Sequence, residues 1–341
     1  YRREYALYTL QDRAIPSLAD GMKSAARRVI WTARDGAKWK TASLAGATMP
    51  IHPHGAPEGT IDSVTGPFIN NVPLFEPLAT FGTILKPTAF GAARYTSVKL
   101  SKFTKEAILV DLDIIPMKPN YDDTLTEPSH FLPLIPVVLL NGQSGIAVGF
   151  AADILPRDLD DIITSQLQHL TGKPVVEYLP YSYPINQRAT AKVFDKKTGK
   201  PRFTFSGSFT RVGVQKINIT SLPYETYYED YITYLNDLID DGSIIDYDDD
   251  CKGCINFMVK FDRAYLASAS DEQLIKLLAL RKSKVENMNV IHFNGARLVS
   301  TDYIDVIATF TDWRLGWYVK RYERLLELCR AQIQRYVDVI T

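Results

Sequence analysis

Apolar residues recur at helical spacing near both ends of the chain. Met22, Ala25, Ala26, Val29, Ile30 and Ala33 fall on one stripe of a helix that Gly36 stops. Lys23, Arg27 and Arg34 share another face of it, with Arg28 close by. Tyr5, Leu7, Tyr8 and Leu10 predict a shorter helix before it, ended by Pro16. At the far end Tyr322, Cys329 and Tyr336 stand at heptad spacing, as do Leu326, Ile333 and Ile340. That is an a/d seam, the start of a coiled coil cut off at Thr341, or else an amphipathic helix packed on the body.

Between these ends, Thr41 to Thr48 reads as a small-residue helix broken by Met49-Pro50, and a further helix is predicted from about Glu58 to Thr65. From Leu74 to Leu112 the pattern turns to short strands broken by Pro and Gly, ending in Ala107-Ile108-Leu109-Val110. Helix, helix, turn, helix, then strands is the order of a winged-helix DNA-binding unit. The proline-rich stretch from Pro116 to Pro136 reads as a boundary. The segment Asn141 to Gly149 requires backbone freedom or close approach at three glycines.

An α+β body follows. Lys197-Thr198-Gly199 and Asn294-Gly295 look like hairpin turns, and Val214, Ile217 and Ile219 are placed on strands. Tyr228, Tyr231, Ile232, Leu235 and Ile239 stack on a helix from about Tyr224 to Ile239, and Ser270-Asp271-Glu272-Gln273 is a capping-box start.

Composition narrows the function. A chain of 341 residues with 46% hydrophobic content implies two or three units with sizeable cores. There is no run long enough to span a bilayer, the first residues are not a signal peptide, and three cysteines indicate a reducing compartment. Net charge is zero, but its distribution is uneven. Up to Lys105 there are 14 Lys+Arg against 7 Asp+Glu; the remaining residues carry 25 against 32, the rest of 39 each. A basic third on an acidic body is the footprint of one module that meets phosphate, or a basic face for a protein partner.

The candidate chemistry lies between His52 and Tyr95. His52-Pro53-His54-Gly55 opens the segment on a tight turn, and Gly91-Ala92-Ala93-Arg94-Tyr95-Thr96 closes it. A phenol with a pKa of about 10 is a weak nucleophile at neutral pH. Attack on a phosphodiester therefore needs a nearby base or cation and stabilisation of the non-bridging oxygens. Arg94 adjoins Tyr95; Arg13 and His54 are placed to converge from the helical part, with metal assistance expected. Asp111-Leu112-Asp113, on an apolar strand, resembles a metal-binding carboxylate pair but reads as structural. Asp246 and Asp248-Asp249-Asp250 read as a solvated turn, and Cys251-Lys252-Gly253-Cys254 lacks the second ligand pair that zinc requires. No Gly-x-x-x-x-Gly-Lys-Ser/Thr nucleotide loop is present.

Taken in order, these residues resemble the breakage–reunion subunit of type IIA DNA topoisomerases, the family that includes gyrase and topoisomerase IV. Arg13-Ala14-Ile15-Pro16, Asp20-Gly21-Met22-Lys23 and Arg27-Arg28-Val29 are similar to its first helix-turn-helix signature. His52-Pro53-His54-Gly55 is similar to the start of its recognition helix, and Ala93-Arg94-Tyr95 to its active-site loop. Asn141 to Gly149 is similar to its Asn-Gly-x-Ser-Gly-Ile-Ala-x-Gly segment. His130-Phe131-Leu132-Pro133-Leu134-Ile135-Pro136 and Ala152-Asp153-Ile154-Leu155-Pro156 lean toward the T4-type bacteriophage branch.

The resemblance implies an α+β multidomain fold: a winged-helix domain over 1–115, a tower domain over 116–312 and the start of a coiled coil over 313–341. It assigns Tyr95 to a 5′-phosphotyrosyl link, and Arg94, Arg13 and His54 to stabilising the scissile phosphate. Lys23, Arg27, Arg28 and His52 fall among the DNA-binding residues, and Ile146 is the side chain that wedges between base pairs. It further implies double-stranded DNA as substrate, a homodimer of this chain, and a partner subunit whose TOPRIM and ATPase domains carry Mg2+ and ATP. The implied setting is the host cytoplasm, with no membrane. Ser24 and Pro57 depart from the family pattern, where proline and, in many bacterial members, a quinolone-holding serine are usual. The alternatives are a non-enzymatic winged-helix DNA binder and a tyrosine recombinase or type IB enzyme, although in the latter the tyrosine lies near the end of the catalytic domain.

Overall fold

The computed structural model describes residues 8–53, 57–147 and 149–340. The predicted stripe forms helix α1 (Ser24–Thr32), which buries Ala26, Val29 and Ile30, with Met22 and Ala33 buried just outside its ends. Ala25 is exposed instead, because it stands about 100° around the helix from Ala26. The helix ends at Thr32, and Gly36, at φ +74°, completes the turn beyond it. Helix α2 (Thr41–Thr48) and helix α3 (Pro57–Thr65) follow at the predicted places. Pro57 occupies the first helical position of α3, where no backbone N–H is required. Strands β1 (Trp39–Lys40), β2 (Phe75–Leu78) and β3 (Ser97–Leu100) form an antiparallel sheet in the order β1-β3-β2. The central strand buries Val98 and Leu100 against the helices.

Ala107 to Val110 is not a strand. Residues Thr104–Ile108 coil into a π-helical turn, because Ser101 Oγ accepts from the Thr104 amide and Thr104 Oγ1 donates to the buried Leu74 carbonyl. Asp111 then reverses the chain at φ +62°, a conformation that aspartate tolerates better than most residues. Its carboxylate accepts from Arg314 at 2.5 Å and from Arg321 at 2.5 and 2.7 Å, both on the C-terminal helix Tyr303–Ile340. Asp111 thus lies in a turn rather than on a strand, and its role there is structural.

The proline-rich stretch does not divide the core. Phe131, Leu132 and Val137 to Leu140 are buried in one cluster with Leu18, Val29, Leu44, Phe75 and Val98, and that cluster extends to Ile307. A second cluster surrounds a four-stranded antiparallel sheet and includes Ile217, Ile219, Tyr231, Leu235, Phe257 and Val259. Val214 lies in the turn beside Gly213, not on a strand. The Ser270 capping box forms as predicted, and Gly199 and Gly295 take up positive φ in their hairpin turns. Between the first cluster and a smaller one of Leu155, Phe203 and Phe205, Arg157 and Glu286 are buried face to face, with Arg157 donating to Glu286 at 2.8 and 3.1 Å. On the C-terminal helix, Tyr322, Leu326, Ile333 and Tyr336 remain exposed, so this seam is not packed on the body.

Candidate nucleic-acid interface

Tyr95 stands at the apex of a turn between Gly91 and β3, and its side chain is 67% exposed. The turn is stitched to the start of α2. The Thr41 amide donates to the Thr96 carbonyl and the Ala42 amide to the Ala93 carbonyl, both at 3.2 Å. These are among the N–H groups that a helix cannot satisfy internally. Between the buried side chains, Thr96 Oγ1 donates to Thr41 Oγ1 at 2.7 Å. The Arg94 guanidinium carbon lies 4.8 Å from the Tyr95 ring centroid. The pinned backbone thus presents an exposed phenol and an exposed guanidinium side by side. Arg321-Tyr322 and Arg335-Tyr336 lie instead along the C-terminal helix.

A cavity of about 640 Å³ opens nearby, and Arg13, Lys23, Arg28 and His52 line it together with Thr60 and Ser63 of α3. Arg13 is exposed on the π-helical turn Thr9–Ala14, with its guanidinium 5.9 Å from the Tyr8 ring. His52 Nε2 bonds to the Tyr8 hydroxyl at 2.6 Å, and its ring packs edge-on against Tyr121. Desolvation by burial, with Asp12 nearby, raises the Tyr8 phenol above its ordinary pKa, and desolvation lowers the Lys23 ammonium below the ordinary lysine range.

The two arginines of α1 are turned into the protein. Arg27 is buried, with Nε and Nη2 donating to the Asp20 carboxylate at 2.6 and 2.9 Å. Arg27 is thus held in a buried ion pair with Asp20, its fork turned away from the surface. Arg28 borders the cavity but donates to Glu127 and Asp12, and its guanidinium holds the Asp12 carboxyl below the usual range against desolvation by burial. It organises the cavity wall and presents no free fork.

Tyr95 is not brought to this cavity. It lies at the start of α2 and His52 beyond its end, a rise of about 12 Å for eight residues. Among the described residues no hydrogen bond joins Tyr95 to Arg13. The expected partner His54 lies outside the described residues. Ile146 is 87% exposed near the tip of a hairpin of strands β4 (Gln143–Ala147) and β5 (Phe150–Ile154). Sequence reasoning did not find the Thr41–Thr96 pair, the two tyrosines at His52 or the acidic partners of Arg27 and Arg28. Those contacts are long-range, and local spacing carries no signal of them.

Among the described residues no group of three or more His, Cys, Asp or Glu is placed to hold a metal, and no helix is long and apolar enough to cross a membrane. The Asp12, Glu127 and Asp20 carboxylates near the cavity are engaged by arginine, so these residues do not fit a resident divalent cation.

The chain is similar to known proteins over nearly its whole length. It is 29% identical over 337 residues to the DNA topoisomerase medium subunit of Enterobacteria phage T4, covering 95% of this chain and 74% of that one. It is 30% identical over 351 residues to DNA topoisomerase 2-beta of Homo sapiens, covering 97% of this chain but 21% of the relative. A crystal structure of the Plasmodium falciparum topoisomerase II DNA-binding, cleavage and re-ligation domain superimposes with a TM-score of 0.85 at 27% identity. That match covers 95% of this chain and 45% of the other. The chain thus spans about a fifth of the human relative and under half of the solved one. Residues 13–341 match the family model for the A-type subunits of DNA gyrase and topoisomerase IV, and with the fold and the motif order this places the chain in that family.

Proposed function

We propose that this chain is the DNA cleavage and religation part of an ATP-dependent type IIA topoisomerase, with Tyr95 as its nucleophile. The observation that carries this reading is the exposed Tyr95 phenol, held beside Arg94 on a turn pinned to α2. In the reaction, Tyr95 Oη forms a bond to the scissile phosphorus and loses its proton. The bond from phosphorus to the 3′ oxygen breaks, and that oxygen leaves as a 3′-hydroxyl. One phosphodiester replaces another, so resealing by the reverse step needs no nucleotide. Arg94 supplies positive charge to the non-bridging oxygens as they crowd around phosphorus.

In this reading residues 1–115 supply the winged-helix domain, 116–312 the tower and 313–341 the start of a coiled coil, the first two sharing one core cluster. Lys23 and His52 meet the duplex, with Arg28 shaping the surface behind them; Arg13, which lies apart from the Tyr95 of its own chain, acts with His54 on the scissile phosphate met by the Tyr95 of the second copy, and Ile146 wedges between base pairs. Mg2+ and ATP would be held by a partner subunit with TOPRIM and ATPase domains, and the metal would supply positive charge near the cleaved phosphate. A homodimer of this chain places one Tyr95 on each strand of double-stranded DNA, and the T4 relative points to a phage-type enzyme of the host cytoplasm.

The test mixes the chain with a TOPRIM-bearing partner, Mg2+ and supercoiled DNA, then denatures with detergent. Protein linked to 5′ DNA ends is expected, and Tyr95→Phe should remove the adduct while leaving DNA affinity within about threefold. An adduct that survives Tyr95→Phe would refute the assignment. If the wild-type chain binds DNA and never forms an adduct, the non-enzymatic winged-helix reading replaces it.

A further inference from the structure

The hairpin that carries Ile146 and the turn that carries Arg13 are in direct contact. A Cβ placed on Gly145 would lie 1.8 Å from the Ala14 carbonyl oxygen and 3.3 Å from Lys23 Nζ. Real Cβ atoms do not approach a backbone oxygen that closely, so only glycine lets the strand lie on the turn. Lys23 Nζ donates to the Ser144 carbonyl at 2.6 Å, one residue from that contact. Beneath it, Ala152 of the second hairpin strand is buried in one cluster with Leu10, Ala14 and Ile15. One steric and one apolar contact therefore fix the hairpin to the turn, Lys23 at the N-cap of α1 ties the same strand to the helix that follows, and Arg13 immediately precedes Ala14.

We propose that Lys23 is a positioning residue: a latch that, with the Gly145–Ala14 contact, seats the hairpin of Ile146 and the turn of Arg13 as one piece. This rests on the cleavage reading above and adds a link within it. The group that bends the duplex and the group that faces the scissile phosphate keep a fixed mutual position before DNA arrives. A strand that is not bent then does not meet Arg13 in register. Lys23 therefore acts through the hairpin even if its ammonium also faces DNA. Half-buried and without a carboxylate partner among the described residues, it has the Ser144 carbonyl as its anchor.

The test uses Lys23→Met and Lys23→Arg in the full chain, read first without DNA. Amide hydrogen exchange across 143–154 should quicken about tenfold in Lys23→Met, which loses the charged hydrogen bond to the Ser144 carbonyl, and Lys23→Arg, which keeps a charged donor, should stay within about threefold of wild type. With saturating DNA and the TOPRIM-bearing partner, adduct formation should slow about tenfold in Lys23→Met, beyond any change in DNA affinity, and recover in Lys23→Arg. If Lys23→Met weakens DNA affinity while hairpin exchange is unchanged, Lys23 is a plain phosphate contact and the latch is wrong. Absence of any adduct with the wild-type chain refutes the cleavage reading instead, and the exchange result without DNA still decides whether the latch exists.

Discussion

Arg157 and Glu286 form the most deeply buried ion pair described in the chain, with side chains 0% and 2% exposed. Glu286 Oε1 also accepts the Leu155 amide at 2.8 Å, and the Arg157 guanidinium lies over the rings of Phe203 and Tyr303. Glu286→Ala removes the countercharge and leaves the guanidinium in an apolar enclosure. Breaking one side of such a pair destabilises by about 3–5 kcal/mol, whereas replacing both partners with apolar side chains is often neutral. At roughly 2.1 cal/mol/K of unfolding entropy per residue, a 341-residue chain that unfolds as a unit has about 0.7 kcal/mol/K. The melting temperature should therefore fall by about 4–7 °C. Calorimetry checks the shift, and urea unfolding checks the free energy. Arg157→Met combined with Glu286→Leu should recover most of the loss. If Glu286→Ala lowers stability by under about 1 kcal/mol, or the double variant is worse than the single one, the guanidinium is solvated and the burial argument fails.

Ile146→Ala should leave stability within about 0.5 kcal/mol, because the side chain is 87% exposed, yet reduce duplex bending, read by FRET between the ends of a short DNA; unchanged bending would count against the wedge. Thr41→Val strips Thr96 Oγ1 of its buried partner and should slow adduct formation several-fold while costing about 1–2 kcal/mol by urea unfolding. If the rate is unaffected, the pinned turn does not position Tyr95. His130, with desolvation by burial the first cause, is held down at about 4 from 6.5. The unfolded chain takes up that proton first, so this contribution is complete above about pH 6.5 and is lost as the pH falls toward 4. Its size is up to about 3 kcal/mol at one pKa unit per 1.36 kcal/mol. Urea unfolding at pH 7.5 and 5, compared with His130→Phe, checks it: the variant should lose less stability on acidification.

The sequence was legible where one segment decides its own structure. The small-residue run from Thr41 to Thr48 forms the helix it predicts, and Ser270 caps its helix through Gln273. The three glycines of the Asn141–Gly149 segment each meet a backbone demand: positive φ at Gly142 and Gly149, and close approach at Gly145. It was less legible where a distant residue decides. Periodicity placed Lys23, Arg27 and Arg28 near one another on α1 but did not reveal that Glu127, 99 residues on from Arg28, turns that guanidinium inward. In the same way, hydrophobicity at 107–110 suggested a strand, and two hydroxyls at 101 and 104 made a helical turn. In the candidate site, the Arg94–Tyr95 neighbourhood was readable because the two residues are adjacent. The separation of Tyr95 from the cavity of Arg13 and His52 was not, since it depends on the length and direction of α2.

The two arginines that grip Asp111 also set a fulcrum. From Arg321 to Ile340 the C-terminal helix runs 19 residues, or about 28 Å at 1.5 Å per residue. A tilt of 10° about the clamp therefore carries the helix tip by about 5 Å, one helical turn, while side chains at the clamp shift by less than 1 Å. Small adjustments where Asp111 meets Arg314 and Arg321 would be geared up along the helix, displacing its far end without melting any element that supports Tyr95.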